Sequence, residues 1–369
     1  MVQRRSSNSK EMTFPSLKAK KWGPNHHRQL DEECVAQNRD GSVSVVIPNW
    51  NGLRHLPECL GSVELQTYVA LEVIVVDNGS NDGSVEYLAQ HHALVHVIKN
   101  PTNCGFCRAA NQGILRAKGE FVLLLNNDTR LDENFLSNIM KLWAQTDGEV
   151  IGIIPKALYY DRPTTINSIG ARWRSWRIWK DYADGVEDEG QFEQVQRVFG
   201  GAFIAPCFRT ELAKKIGLFD EYFVSYAEDL DFCYRANCLG YSFVTCPQAR
   251  VYHKSHSTMS DNQICGLQHH FNRFAIRNCL MGILKNYEAK NLFLRFPFSL
   301  LHLWVYVGII GSLKQFGIKG LPEILWVHLL ILWELARELP WLLKKRCEIQ
   351  RARRMRDVDI WQIGVKGRT

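Results

Sequence analysis

Val43-Ser44-Val45-Val46-Ile47-Pro48-Asn49-Trp50-Asn51 is an apolar run that stops abruptly at a proline and a set of amide side chains. A run of this length, bounded by turn residues, reads as a strand buried on both faces. The pattern recurs outward from it. Residues 71–76 run into Asp77-Asn78-Gly79-Ser80, residues 96–98 form a shorter strand, and residues 121–125 end in Asn126-Asn127-Asp128. Helical patterns over 57–65, 84–91 and 107–117 fill the gaps. This alternation predicts an α/β fold with a mainly parallel sheet flanked by helices. Ligands bind such sheets outside the carboxyl ends of the strands. Three of those ends here carry amides and carboxylates, groups suited to a nucleobase, a ribose and a metal-bound diphosphate. Each stretch alone is ordinary turn chemistry; their convergence is the signal.

The order and spacing of several motifs resemble one family. They are Val45-Val46-Ile47-Pro48 with Asn51, Val76-Asp77-Asn78-Gly79-Ser80, Asn103 with Gly105-Phe106 and Asn111-Gln112-Gly113, Leu124-Leu125-Asn126-Asn127-Asp128, Gly200-Gly201-Ala202, and Glu228-Asp229-Leu230-Asp231 followed by Arg235. Together, over residues 43–256, they resemble the inverting family-2 glycosyltransferases of GT-A fold, especially the rhamnosyltransferase-like branch. The resemblance implies a nucleotide-sugar donor, dTDP-rhamnose first among the candidates, and a saccharide or lipid-linked acceptor. It assigns the donor to Pro48, Asn51, Asp77, Asn78, Ser80, Asn103, Gly105, Asn111, Asn126 and Asn127, with Asp77 on the base. Gly105 would allow close approach to the donor. Gly201, Ala202 and Glu228 would meet the acceptor. Asn126-Asn127-Asp128 stands where many relatives carry an Asp-x-Asp metal motif, so Asp128 with His253, or with the nearby His256 in its place, would hold Mn²⁺ or Mg²⁺. An amide in place of the first acid implies modest metal affinity, and Asn126 would turn to the ribose or a phosphate. The resemblance gives Asp229 the role of base on the acceptor hydroxyl, with Glu228 orienting acceptor hydroxyls or Asp229 itself. Asp231 reads as an inward structural acid near a helix start.

Composition bounds the rest. The chain has 369 residues, 46% of them hydrophobic, enough for a large core. Its formal charge of +7 is concentrated at the two ends, which fits an anionic membrane surface and argues against a nucleic-acid groove. The first forty residues are polar and basic without an apolar core segment, so no secretory export is expected. Eleven cysteines, an odd number, suit a reducing compartment. Asn78-Gly79-Ser80 and Asn127-Asp128-Thr129 would be glycan acceptors in a secreted chain, inside its own site. Cys104-Gly105-Phe106-Cys107 has redox spacing but no second pair. No Gly-x-Gly-x-x-Gly follows the first strand, which excludes a dinucleotide oxidoreductase.

Residues 296–313 are interrupted by Pro297, His302 and Gly308, and 324–333 are too few to span a bilayer. Trp304, Tyr306, Trp326, Trp333 and Trp341, followed by Lys344, Lys345, Arg346, Arg351, Arg353, Arg354 and Arg356, read instead as interfacial helices with a polybasic end. Insertion as a hairpin, a soluble helical subdomain and a contact between copies of the chain are the alternative uses of these helices. Trp173, Trp176 and Trp179 would stack on sugar or lipid, or pack a loop. The expected layout is a flexible lead (1–41), a GT-A catalytic domain (42–275) and a C-terminal helical membrane-associating region (276–369). This places the protein in the cytoplasm, peripheral to the cell membrane. A catalytically silent nucleotide-sugar binder is the rival reading.

Overall fold

The computed structural model describes residues 41–173, 179–255, 261–302 and 321–364, with the backbone alone at 179–181, 261–272, 321, 323 and 324. Residues 1–40 of the expected lead, Trp176, His256, Trp304 and Tyr306 lie outside the described residues, and Trp179 is described by its backbone alone.

The opening strand is β1 (Val43–Asn49). The chain continues through α1 (Leu56–Glu64), β2 (Glu72–Asp77), α2 (Ser84–His91), β3 (His96–Lys99), α3 (Phe106–Arg116) and β4 (Phe121–Leu124). Then come β5 (Thr129–Leu131), α4 (Phe135–Trp143), β6 (Val150–Tyr159), β7 (Ile166–Ser168), β8 (Ala171–Trp173), β9 (Trp179–Asp181), β10 (Arg197–Val198) and β11 (Cys207–Arg209). The last elements are α5 (Thr210–Lys215), α6 (Glu228–Cys238), β12 (Ser242–His253), α7 (Asp261–Asn286), α8 (Ala289–Leu300), α9 (Leu321–Arg337), α10 (Leu339–Ala352) and α11 (Asp357–Ile360).

The main sheet runs β10-β12-β6-β11-β4-β1-β2-β3. It is mixed but mainly parallel, as expected: four of the seven pairings along this path are parallel. The half around β1 is parallel, as are β6 and β12, but β11 enters antiparallel between β4 and β6. The cause lies in connection length. Helical crossovers serve β1 to β4, while β6 turns into β7 over six residues, too short for a parallel return.

Strand alternation splits the core into two layers. Val43, Val45 and Ile47 pack under α1 and α4, whereas Val46, Ile74 and Val76 face α3. Gly113 lets α3 settle onto β1, since a Cβ there would lie 2.2 Å from Val46 Cγ1. The α3 layer continues without interruption into Phe232 and Tyr234 of α6, Ile276, Leu280 and Ile283 of α7, Ile331 of α9, Leu342 of α10 and Trp361. The expected boundary at 275 therefore falls inside α7, and the described helices beyond it share the core of the sheet. Trp173 is part of that core, edge-on to Tyr234 with its Nε1 donating to Tyr287, so it is a packing residue and not a free sugar platform. Arg346 and Arg353 also turn inward. Arg346 donates to the carbonyls of Leu284 and Tyr287, and Arg353 to the carbonyl of Asn286 and the carboxylate of Asp357. Those two are not available to a lipid headgroup. Among the described residues no helix is long and apolar enough to cross a membrane.

Candidate active site

Register brings the first group of residues together. Asn49 pairs with Asp77 across β1 and β2, and Asn49 Nδ2 donates to Asp77 Oδ1 at 3.0 Å. The Ser80 N–H donates to Asp77 Oδ2 at 3.0 Å, fixing both oxygens of a carboxylate that is 2% exposed. Ser80 Oγ accepts from the Asn51 N–H at 2.9 Å, and Asn127 Nδ2 donates to Asn49 Oδ1 at 2.8 Å. Asn51 sits at φ 48°, a region its short amide tolerates. The ends of β1 and β2 and the segment after β4 thus form one polar floor, with Pro48 in the ladder beneath. Asn49, not among the expected donor residues, is its hub. The sequence signal for it was present, since it is the last residue of β1.

Asn78, Asn103 and Gly105 do something else. Asn78 Nδ2 donates to Asn103 Oδ1 and to the Gly105 carbonyl, while its Oδ1 accepts from Asn100 Nδ2 and the Cys104 N–H. Asn100 and Gln112 exchange amide hydrogen bonds at 2.8 and 2.9 Å. This network holds the loop before α3. Gly105, at φ 87°, makes its close approach to Val224, where a Cβ would lie 2.8 Å from Cγ1. Asn111 is buried and closes a two-way hydrogen bond with the backbone of Phe219, donating to its carbonyl at 2.9 Å and accepting from its N–H at 3.0 Å. It joins α3 to the segment before α6. Cys104 and Cys107 are free thiols.

The expected metal pair does meet. Antiparallel pairing of β5 with β12 sets His253 opposite Thr129, leaving His253 Nε2 3.4 Å from Asp128 Oδ1. Asn167 Oδ1 lies 2.8 Å from His253 Nδ1 and fixes the ring, the kind of outer support that metal-bound histidines carry. Among the described residues no third His, Cys, Asp or Glu joins them. One carboxylate and one imidazole fit a hard divalent ion whose remaining ligands are diphosphate oxygens and water.

Residues 200–204 connect this region to the acidic pair. The Ile204 carbonyl accepts from the Asn126 N–H at 3.0 Å, and the adjacent Phe203 N–H lies near enough to Asp229 to favour its charged form. Gly201 is packed against Ile154 and Gly170, so its place is beneath this bridge, with Ala202 half-buried beside it. Glu228 and Asp229 open α6. They keep some solvent contact but are enclosed on their other sides, and Glu228 Oε2 is buried with no hydrogen-bond partner. Burial raises Glu228, and burial together with the charge of Glu228 raises Asp229, both toward neutrality. Asp231 behaves oppositely. Burial would raise it, but Lys285 at 2.9 Å and Arg235 at 2.8 Å outweigh that and hold it well below the usual carboxylate range. It is the inward structural acid the sequence suggested.

Known proteins are similar in sequence and in fold. A model of the family described as glycosyl transferase family 2 matches residues 44–199. Glycosyltransferase GlyG of Streptococcus pneumoniae is 33% identical over 113 residues, covering 30% of this chain and 37% of that protein. An uncharacterized glycosyltransferase of Rickettsia typhi is 27% identical over 204 residues, 52% of this chain and 58% of that protein. The chain thus spans less than two thirds of the length of these relatives. Among solved structures, S. aureus TarS residues 1–349 in complex with UDP superposes with a TM-score of 0.51 at 20% identity, over 87% of this chain and 89% of that one. GalNAc-T7 with UDP, GalNAc and Mn²⁺ gives 0.54 at 17%, over 81% and 57%. At such identities the likeness is one of fold. These matches show that residues 44–199 are similar to glycosyl transferase family 2 and that the fold is like that of the two solved structures.

Proposed function

We propose that the chain transfers a sugar, with inversion, from a nucleotide-sugar to a hydroxyl of a saccharide or lipid-linked acceptor. The observation that carries this reading is the bridge at 203–204, whose neighbouring backbone groups contact the Asn126-Asn127-Asp128 segment on one side and Asp229 on the other. Donor-holding and proton-accepting groups are thereby kept in one frame.

In the proposed reaction the acceptor oxygen attacks the anomeric carbon and its proton passes to the Glu228–Asp229 pair. The bond to the diphosphate breaks, and the nucleoside diphosphate leaves with the electron pair. Asp77, Asn51, Ser80 and Asn127 hold the nucleoside side. Asp128 and His253 would hold Mn²⁺ or Mg²⁺, which supplies neutralising charge at the leaving diphosphate when bound. Two enclosed carboxylates share a proton near neutrality, so the ionised one accepts the hydroxyl proton with a well-matched affinity.

dTDP-rhamnose is the donor we favour, on the motif resemblance. Membrane association is part of the same proposal, supported by apolar stripes on α8 and α9 that stay exposed, with Phe293 at 82% and Trp326 at 61%. The test is nucleoside diphosphate release from dTDP-, UDP- and GDP-sugars with a lipid extract as acceptor, with Mn²⁺ or EDTA. Turnover in the wild type that falls by about 10²–10⁴-fold in Asp229→Asn supports the reading. Donor binding without turnover under every condition would favour the silent binder, a reading that Asn126 at the first metal-motif position keeps open.

A further inference from the structure

The backbone that delivers Glu228 and Asp229 is held in an unfavourable shape. Among the described residues seven non-glycine positions have positive φ, and three of them, Val224 (61°), Tyr226 (71°) and Ala227 (63°), fall within four consecutive residues. Val224 has ψ −60° and centres a γ-turn, in which the Ser225 N–H donates to the Phe223 carbonyl at 2.6 Å. A β-branched residue in that conformation is a rare outlier. Such conformers persist only where their surroundings over-determine them, and they gather at sites where position matters.

One buried side chain stands opposite this segment. Asn278 of α7 is fully enclosed, and its Nδ2 lies 2.9 Å from the Phe223 carbonyl, 2.9 Å from that of Ser225 and 2.7 Å from that of Tyr226. Its Oδ1 accepts from Arg277 Nε at 2.9 Å, which settles which end of the amide faces the loop. Arg277 reaches the Tyr222 carbonyl at 3.2 Å and is itself paired with Glu334 of α9. On the other side, the Cys107 N–H donates to the Val224 carbonyl at 3.1 Å. A buried amide inside a helix is costly unless its donors are used. Here they are used on the three carbonyls that precede the acidic pair.

We infer that Asn278 is a positioning residue for the Glu228–Asp229 pair, fixing the 223–227 loop so that both carboxylates enter the site in one arrangement. The inference rests on reading that pair as the proton acceptor. It has two consequences. The donor-side groups at the ends of β1 and β2 are fixed by separate hydrogen bonds, so losing Asn278 affects kcat more than donor KM. A loosened loop also admits water to the pair. Its enclosure is otherwise maintained by neutral neighbours: Tyr226, Cys107 on α3, Cys233 on α6 and Cys279 on α7 are all raised by burial. The nearby charge of Asp231 is matched by Lys285 and Arg235. Hydration then lowers the pair's proton affinity and moves the acid limb of the rate profile to lower pH.

The experiment compares wild type with Asn278→Ala by amide hydrogen exchange and by steady-state kinetics over pH. Exchange at 223–229 should quicken by at least about 10-fold while β1, β2 and β4 are unchanged. kcat should fall by about 10–100-fold with donor KM within about 3-fold, and the acid limb should shift downward. Unchanged exchange in the loop overturns the inference, as does a loss of kcat with the acid limb unmoved, the signature of a smaller folded fraction. Should the alanine variant fail to fold, Asn278→Ser keeps one donor and is judged by the same readouts. A wild type with no turnover on any donor overturns the catalytic reading beneath the inference, and exchange alone distinguishes that outcome, since the loop would still loosen.

Discussion

Glu228 and Asp229 are acids that folding discourages from ionising, and this gives a sign to their effect on stability. Their folded pKa values lie above the unfolded ones, so their contribution is fullest below about pH 4 and is lost as pH rises through about 8. Removing the charge at Asp229 removes part of that loss. Asp229→Asn should therefore raise Tm by about 2 °C at pH 8 and leave it nearly unchanged at pH 4, even as turnover collapses. Scanning calorimetry at both pH values checks it, and an equal gain at both would show that the carboxylate's charge is not the cause. Asn126 offers a second residue-scale prediction. Adding a carboxylate beside Asp128 gives the hard ion another anionic ligand, so Asn126→Asp should lower the Mn²⁺ concentration for half-saturation by roughly 10-fold. Direct Mn²⁺ titration followed by paramagnetic resonance reads this without any turnover assay. The sequence made Asp128, His253 and the acidic pair visible because each lies in a motif of recognisable spacing. Asn278 and Asn167 carried no such mark: one bonds to backbone carbonyls more than fifty residues away, and the other meets an imidazole across 86 positions. Contacts to backbone, or across strands not yet placed, leave no pattern in a sequence.

At the scale of elements, the loop before α3 turned out to serve α6. Gly105 was expected to make room for a ligand, yet the group it admits is Val224, and the Asn78–Asn103–Cys104 network holds it there. Gly105→Ala would place a Cβ against Val224 and force a side chain into positive φ at once. The expected cost is about 1–3 kcal/mol in denaturant unfolding, with kcat reduced because the 223–227 segment shifts. Donor affinity should be nearly unaffected, and a variant as active and as stable as the wild type would show that the two loops move independently. The alternating β and α stretches up to residue 124 were legible to within two residues at their ends, because β1 and β4 are apolar and buried almost throughout, β2 is buried over its second half, and turn residues bound the stretches. Beyond β4 all strands but β6 and β12 are short, and every pairing except that of β6 with β12 is antiparallel. Periodicity alone gave no hold on β7 to β11, whose partners are set by long-range packing.

For the whole molecule, one core joins the sheet to the C-terminal helices, so what those helices touch outside bears on the site inside. α7 packs against α6 and carries Asn278, while α9 packs on α7 and contributes Glu334 to the pair with Arg277. The outer face of α9 is otherwise apolar: Leu325, Trp326, Leu329, Leu332 and Trp333 are exposed at helical spacing. Exposed tryptophans on an amphipathic helix settle at the headgroup level of a bilayer, and nearby cations add attraction to anionic lipid. The polybasic end is weaker than its sequence suggests. Arg346 and Arg353 are committed internally, and Lys345 and Arg356 pair with Glu348 and Asp359. Binding should therefore depend more on the aromatic stripe than on charge. Trp326→Ala with Trp333→Ala should reduce co-sedimentation with vesicles containing anionic lipid by roughly 10-fold or more, since each truncation removes more than 1 kcal/mol of apolar burial. Raising salt from 0.1 to 0.5 M should weaken wild-type binding by only about 2–3-fold. If the double variant binds vesicles as the wild type does but changes in sedimentation velocity, the stripe is a contact between copies of the chain. If salt abolishes binding while the tryptophan changes do not, the exposed Lys344, Arg351 and Arg354 carry the attraction instead.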